Sequence, residues 1–163
     1  MIVSQSSLPT LRKHYADMRI VYTSGSFDIL HVGHLELLTW AKSKGDILVV
    51  ALNSDAVIRQ KKGPSRPIIP LEDRKELLDG LGMVDYVLAV DGDDASTMPW
   101  LETGSLLCPD VCVLGPDWAN QESSKWKMLF PNADILTSPP RRGPSTTSLI
   151  EKILSLSNTD QSY

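Results

Sequence analysis

Two histidines three residues apart, His31 and His34, close the stretch Gly25-Ser26-Phe27-Asp28-Ile29-Leu30-His31-Val32-Gly33-His34, which Ser24 precedes. An imidazole donates hydrogen bonds to phosphate oxygens, and two of them at this spacing on a first helical turn face the same anion. Gly33 between them lets a phosphate chain approach the backbone without a Cβ in the way. A second stretch far downstream, Arg141-Arg142-Gly143-Pro144-Ser145-Thr146-Thr147, carries guanidinium groups suited to bidentate phosphate contacts and hydroxyls suited to a helix start. Lys61 and Lys62 add two ammonium groups. The chemistry these side chains share is the holding of polyanions. Metal ligation by His31 and His34 with Cys108 and Cys112 is the rival reading. The cysteines flank Pro109-Asp110-Val111 at the start of an apolar run rather than forming a C-x-x-C knuckle, so they read as buried inert thiols.

Such groups act together only if the chain brings them together. Ile20-Val21-Tyr22-Thr23 reads as a short buried strand before the glycine-histidine stretch. Leu35, Leu37, Leu38, Trp40 and Ala41 follow it with helical spacing. The histidines therefore sit where a strand ends and a helix begins, where unpaired N–H groups and the positive dipole end suit phosphate. Further strands are expected over 46–52, 84–90, 110–114 and 133–137, beside the first at 19–24. Helices are expected over 8–17, from Asn53-Ser54-Asp55 to Lys62, over 71–81, 96–106 and 121–130, and from Ser145 to about Leu156. In the helix over 71–81, Leu71, Leu77, Leu78 and Leu81 are read as inward-facing. Residues 63–70, with Gly63 and three prolines, are a loop, and residues 1–7 are polar and read as frayed. This alternation predicts a single doubly wound (Rossmann-like) α/β domain with a five-stranded parallel sheet over 19–157, an N-terminal extension over 1–18 and a polar tail over 158–163. The loops 25–34, 53–66, 115–118 and 138–147 all follow strand C-terminal ends, so they share one crevice.

Composition narrows the function classes. The 163 residues fit one domain, at 42% hydrophobic and 22% charged. A net charge of −4 leaves no global basic field for nucleic acid. No apolar run is long enough for a bilayer and no signal-peptide h-region opens the chain, so a membrane partner is not expected. Two cysteines are too few for a disulfide framework, which makes a reducing cytoplasmic setting the default.

GSFDILHVGH matches the G-x-F-D-x-x-H-x-G-H signature of the cytidylyltransferase-like nucleotidyltransferases, and the sequence resembles that family over roughly 19–154. The basic loop followed by Ser145-Thr146-Thr147 looks like the family's second signature. Asn53-Ser54-Asp55 and the run Ser65 to Arg74 look like the adenylyltransferase domain of the bacterial heptose kinase/adenylyltransferase. Gly115-Pro116-Asp117-Trp118 looks more like the G-D-D-W stretch of glycerol-3-phosphate cytidylyltransferase, with Pro116 a departure from both. With no room for a sugar-kinase domain, a stand-alone transferase is expected.

The resemblance implies attack by an acceptor phosphate oxygen on the α-phosphorus of ATP or CTP, with loss of pyrophosphate. Catalytic roles then fall to His31, His34, Lys62 and Arg142. Ser24, Gly25, Ser26, Phe27, Gly33, Asp117, Trp118, Ser145, Thr146 and Thr147 would bind the nucleotide. Asp28, Lys61, Arg74 and Arg141 stand on the acceptor side, with Asp28 also holding its loop through backbone N–H groups and Arg74 facing phosphate or holding the proline loop. Mg²⁺ is implied by the triphosphate, which carries it without a dedicated protein cage. A homodimer is expected from the family. The expected reaction is adenylyl transfer to a sugar phosphate. The rivals are CTP-dependent transfer to glycerol 3-phosphate or an amino-alcohol phosphate, and a nucleotide-binding module without turnover.

Overall fold

The computed structural model describes residues 1–90, 92–116, 123–140 and 142–159. Among these, five apolar runs form strands: β1 (Ile20–Gly25), β2 (Ile47–Leu52), β3 (Tyr86–Ala89), β4 (Val111–Leu114) and β5 (Asp134–Thr137). All pairings are parallel, in the order β3-β2-β1-β4-β5. The helices are α1 (Leu8–His14), α2 (Val32–Lys42), α3 (Asp55–Lys62), α4 (Leu71–Asp79), α5 (Pro99–Leu107), α6 (Ser123–Leu129) and α7 (Thr146–Thr159). Every residue of β2 is buried, as a central parallel strand covered on both faces requires.

Strand side chains alternate between two apolar layers. Tyr22, Val49, Ala51 and Cys112 pack with Leu11, Val57, Trp100, Leu107 and Phe130 on one face. Val21, Val50 and Val113 pack with Leu38, Ala41 and Leu78 on the other. The chain steps from β1 outward through β2 and β3, then restarts on the opposite side of β1 with β4 and β5. That reversal opens a crevice outside the C-terminal ends of β1 and β4, where a doubly wound fold binds its ligand.

Several local expectations change. Residues 1–7, expected to be frayed, run beside β3: Val3 N donates to Val87 O at 2.9 Å and Val87 N to Met1 O at 3.0 Å. An edge strand presents unpaired backbone groups, and this segment covers them. Leu8 behind it is fully buried. Leu77, expected to face inward, is 46% exposed while Leu78 is fully buried. Successive helical residues are rotated by about 100°, so these neighbours cannot face one core. The expected helix over 96–106 is split by Met98, whose φ of 49° separates a 3-10 turn at Ala95–Thr97 from α5.

Candidate active site

After β1 the chain turns through Phe27 and Ile29, whose φ values of 46° and 50° lie in the left-handed region on either side of Asp28. Non-glycine residues there cost about 1–3 kcal/mol each and persist where their surroundings over-determine them. The surroundings converge on Asp28, which is 1% exposed. Its carboxylate accepts from Ile68 N at 3.0 Å, Ile69 N at 2.9 Å and Arg66 Nε at 2.7 Å. Burial pushes the Asp28 carboxyl up, but the Ile69 and Ile68 amides and the Arg66 guanidinium together outweigh it and hold it below the ordinary carboxylate value. Gly25 lets the Phe27 ring close down on the strand end, since a Cβ there would meet that ring at 2.9 Å.

The corner then delivers the histidines. His31 is the N-cap of α2, and its Nδ1 accepts from Gly33 N at 3.1 Å. In the neutral ring the proton therefore sits on Nε2. The His34 ring stacks on His31 with centroids 3.8 Å apart and planes 22° from parallel, and Phe27 lies 5.3 Å from His34.

The start of α7 meets this corner from β5. Ser145 and Ser148 bond reciprocally, Ser148 N to Ser145 Oγ at 3.1 Å and Ser145 N to Ser148 Oγ at 2.9 Å, which is the logic of a capping box. Thr146 Oγ1 donates to Asp28 O at 2.7 Å and ties α7 to the histidine loop. Gly143 permits close approach, because a Cβ there would lie 2.3 Å from Val32 Cγ1. Arg142 N donates to Glu36 Oε2 at 3.1 Å. The N-termini of α2 and α7 thus border one crevice of about 1020 Å³.

That crevice is lined by Ser24, Gly25, Ser26, Phe27, Asp28, Gly33, His31, His34, Lys61, Lys62, Arg142, Ser145, Thr146 and Thr147. Asp117, Trp118 and Arg141 lie outside the described residues. Arg74 is not among the lining residues. It is fully buried and donates to Ile69 O, Ser26 O, Asn53 O and Asp55 Oδ1 at 2.6–3.0 Å. Of its two expected roles, facing phosphate or holding the proline loop, the geometry selects the second. The Asp28 carboxylate is likewise engaged within the protein, by the loop over 66–69. The Thr146 hydroxyl is likewise engaged on Asp28 rather than turned to a phosphate. Lys61 Nζ sits 3.4 Å over the Trp100 ring, and desolvation there, with Lys62 beside it, lowers its pKa to about 8.

Trp100, Trp126, Glu36 and Asn53 also line the crevice, and sequence reasoning assigned them no role in it. The tryptophans arrive from helices on the far face of the sheet, which no local pattern announces. Arg66, the ion-pair partner of Asp28, was visible only as part of a proline-rich loop.

The arrangement offers two helix N-termini, a stacked imidazole pair, two ammonium groups and a guanidinium around one cavity. It can hold polyphosphate and stabilise charge developing on it. Among the described residues no group of three or more His, Cys, Asp or Glu is placed to hold a metal ion.

A family model described as cytidylyltransferase-like matches residues 22–152. The chain is 46% identical over 154 residues to the bifunctional protein HldE of Helicobacter hepaticus, covering 93% of this chain and 30% of that protein. It is 42% identical over 152 residues to the bifunctional protein HldE of Campylobacter curvus, covering 93% and 31%. It thus spans less than a third of the length of these relatives. A lipopolysaccharide core biosynthesis protein from Thermoplasma volcanium superposes with a TM-score of 0.63 at 28% identity, over 75% of this chain and 97% of that one. A pantoate-beta-alanine ligase from Francisella tularensis shares the fold at a TM-score of 0.62 and 20% identity, over 88% of this chain and 68% of that one.

Proposed function

This chain belongs to the cytidylyltransferase-like family, and from that premise we propose that it transfers AMP from ATP to a sugar phosphate, a heptose phosphate in the first instance, with release of pyrophosphate. The observation that carries this reading is the meeting of the α2 and α7 N-termini and the stacked histidines at one crevice. The similarity to the HldE proteins supports adenine over cytosine and a sugar phosphate over a polyol phosphate.

In this mechanism an oxygen of the acceptor phosphate attacks the α-phosphorus, the bond to the bridging oxygen breaks, and pyrophosphate leaves with its electron pair. The acceptor is already anionic, so the protein's task is alignment and charge stabilisation. His31 and His34 donate to phosphate oxygens at the reacting centre. Lys62 and Arg142 neutralise charge on the two polyanions, and Lys61, clamped over Trp100, meets the acceptor phosphate. Ser24 to Phe27, Gly33 and Ser145 to Thr147 form the nucleotide wall. A divalent ion carried on the triphosphate by its own oxygens would supply further charge neutralisation, which suits a crevice rich in donors and cations.

No helix among the described residues is long and apolar enough to cross a membrane. We place the enzyme in the cytoplasm, as a homodimer. The exposed apolar residues Ile153, Leu154 and Leu156 on α7, at 58–60% exposure, are the surface that supports the second statement.

The deciding experiment is a pyrophosphate-release assay with ATP or CTP against heptose phosphates, glycerol 3-phosphate and an amino-alcohol phosphate. Turnover with ATP and a heptose phosphate is expected. Turnover with CTP alone overturns the adenylyl assignment. Nucleotide binding without pyrophosphate release from any pair overturns the enzyme.

A further inference from the structure

The crevice extends beyond the phosphate-binding corner. After β2 it is lined by Asn53, Lys61 and Lys62, with Ser24 on β1 and Trp100 against the Lys61 ammonium. The starts of α2 and α7 follow β1 and β5, so a triphosphate gripped by both lies toward the β4 side. The β2 side is left for the second substrate, with the two lysines at hand for its phosphate. This placement rests on the proposed nucleotidyl transfer.

Asn53 stands in that part of the crevice and is 7% exposed. Its backbone is held from both sides: N donates to Gly25 O at 3.0 Å and O accepts from Arg74 Nη2 at 3.0 Å. Its side-chain Oδ1 is buried with no hydrogen-bond partner among the described residues. Buried polar atoms are nearly always satisfied, and an exception in a binding cavity asks for a ligand group. The chemistry narrows which group. An amide oxygen accepts and does not donate. A phosphate oxygen accepts as well and cannot pair with it, whereas a hydroxyl can. A phosphorylated sugar brings hydroxyls into the site on the same skeleton as the phosphate that Lys61 and Lys62 meet.

We propose that Asn53 is a specificity-determining residue that accepts a hydrogen bond from a hydroxyl of the phosphorylated acceptor, so that the site selects a polyhydroxylated phosphate over an analogue lacking that hydroxyl. A buried acceptor left unpaired by the analogue lowers kcat/KM by about 10- to 100-fold.

Pyrophosphate release is measured with ATP and a heptose phosphate, and with its monodeoxy analogues, for the wild type, Asn53→Leu and Asn53→Ala. One analogue is expected to lose about 10- to 100-fold in the wild type. Asn53→Leu is expected to lose a similar factor on the parent acceptor and nothing further on that analogue, with KM for ATP unchanged. Equal kcat/KM for all analogues in the wild type overturns the proposal without any variant. So does an analogue penalty that survives Asn53→Leu, or Asn53→Ala where the leucine variant fails to fold. A raised KM for ATP, with the discrimination moved to 2′-deoxy-ATP, assigns the oxygen to the nucleotide ribose and overturns it too. Absence of turnover with every sugar phosphate defeats the proposed function itself. Turnover with unchanged discrimination defeats this inference alone.

Discussion

His34 is held from two directions, by the His31 ring at 3.8 Å and by Phe27 at 5.3 Å, so under the proposed role its ring is positioned before any substrate arrives. Donors fixed in advance are worth most where charge develops during reaction. His34→Ala is expected to lower kcat by about 10²- to 10³-fold, the range seen on removing one such donor, while circular dichroism stays that of the wild type. An unchanged kcat refutes the role. Lys61 yields a pH signature. Its pKa of about 8 means that the ammonium is charged below that value and neutral above it. If it meets the acceptor phosphate, kcat/KM for the acceptor falls as pH rises through about 8, since this parameter reports the enzyme before the acceptor binds. Lys61→Gln should start lower and lack that alkaline limb. A limb that persists in the variant belongs to another group.

Asp28 links three segments. Its carboxylate receives the loop over 66–69 and its carbonyl receives the start of α7. Arg74 fastens the same loop to the ends of β1 and β2 through Ser26 O and Asn53 O. The histidine loop, the loop over 66–69 and the start of α7 are thus joined by hydrogen bonds within the protein. Thr146→Val keeps the shape of the side chain and leaves the buried Asp28 carbonyl without its donor. The expected result is a loss of about 1–3 kcal/mol in urea unfolding, together with a raised KM for ATP as α7 loses its tether. A stability loss with unchanged KM would mean that the bond serves the fold alone.

The crevice lies between loops that follow β1, β2, β4 and β5, so ligand binding should stabilise the molecule as one unit. ATP with a divalent ion at about 100 times its Kd adds about 2.7 kcal/mol to the folded state. For a domain of this size that corresponds to a rise of roughly 5–10 °C in Tm. No shift with ATP or CTP would show that the cavity is not a nucleotide site.

Sheet, helix order and the location of the crevice were legible in the sequence because they follow from local signals. Strand runs, helical spacing and the histidine and Ser-Thr-Thr motifs are properties of neighbouring residues, and parallel α/β topology then brings loops after strand ends to one edge. Which polar side chains in those loops make their hydrogen bonds within the protein was not legible. Arg74 reads like a phosphate-binding arginine until its donors are found on carbonyls 21 and 48 residues away, and Thr146 like a phosphate donor until its hydroxyl is found on a carbonyl 118 residues away. Asn53 reads as part of a helix cap until its amide oxygen is found buried beside the cavity with no partner among the described residues. A hydrogen bond is decided by a partner's position in space, and a local pattern carries the residue type while leaving that partner to the folded chain.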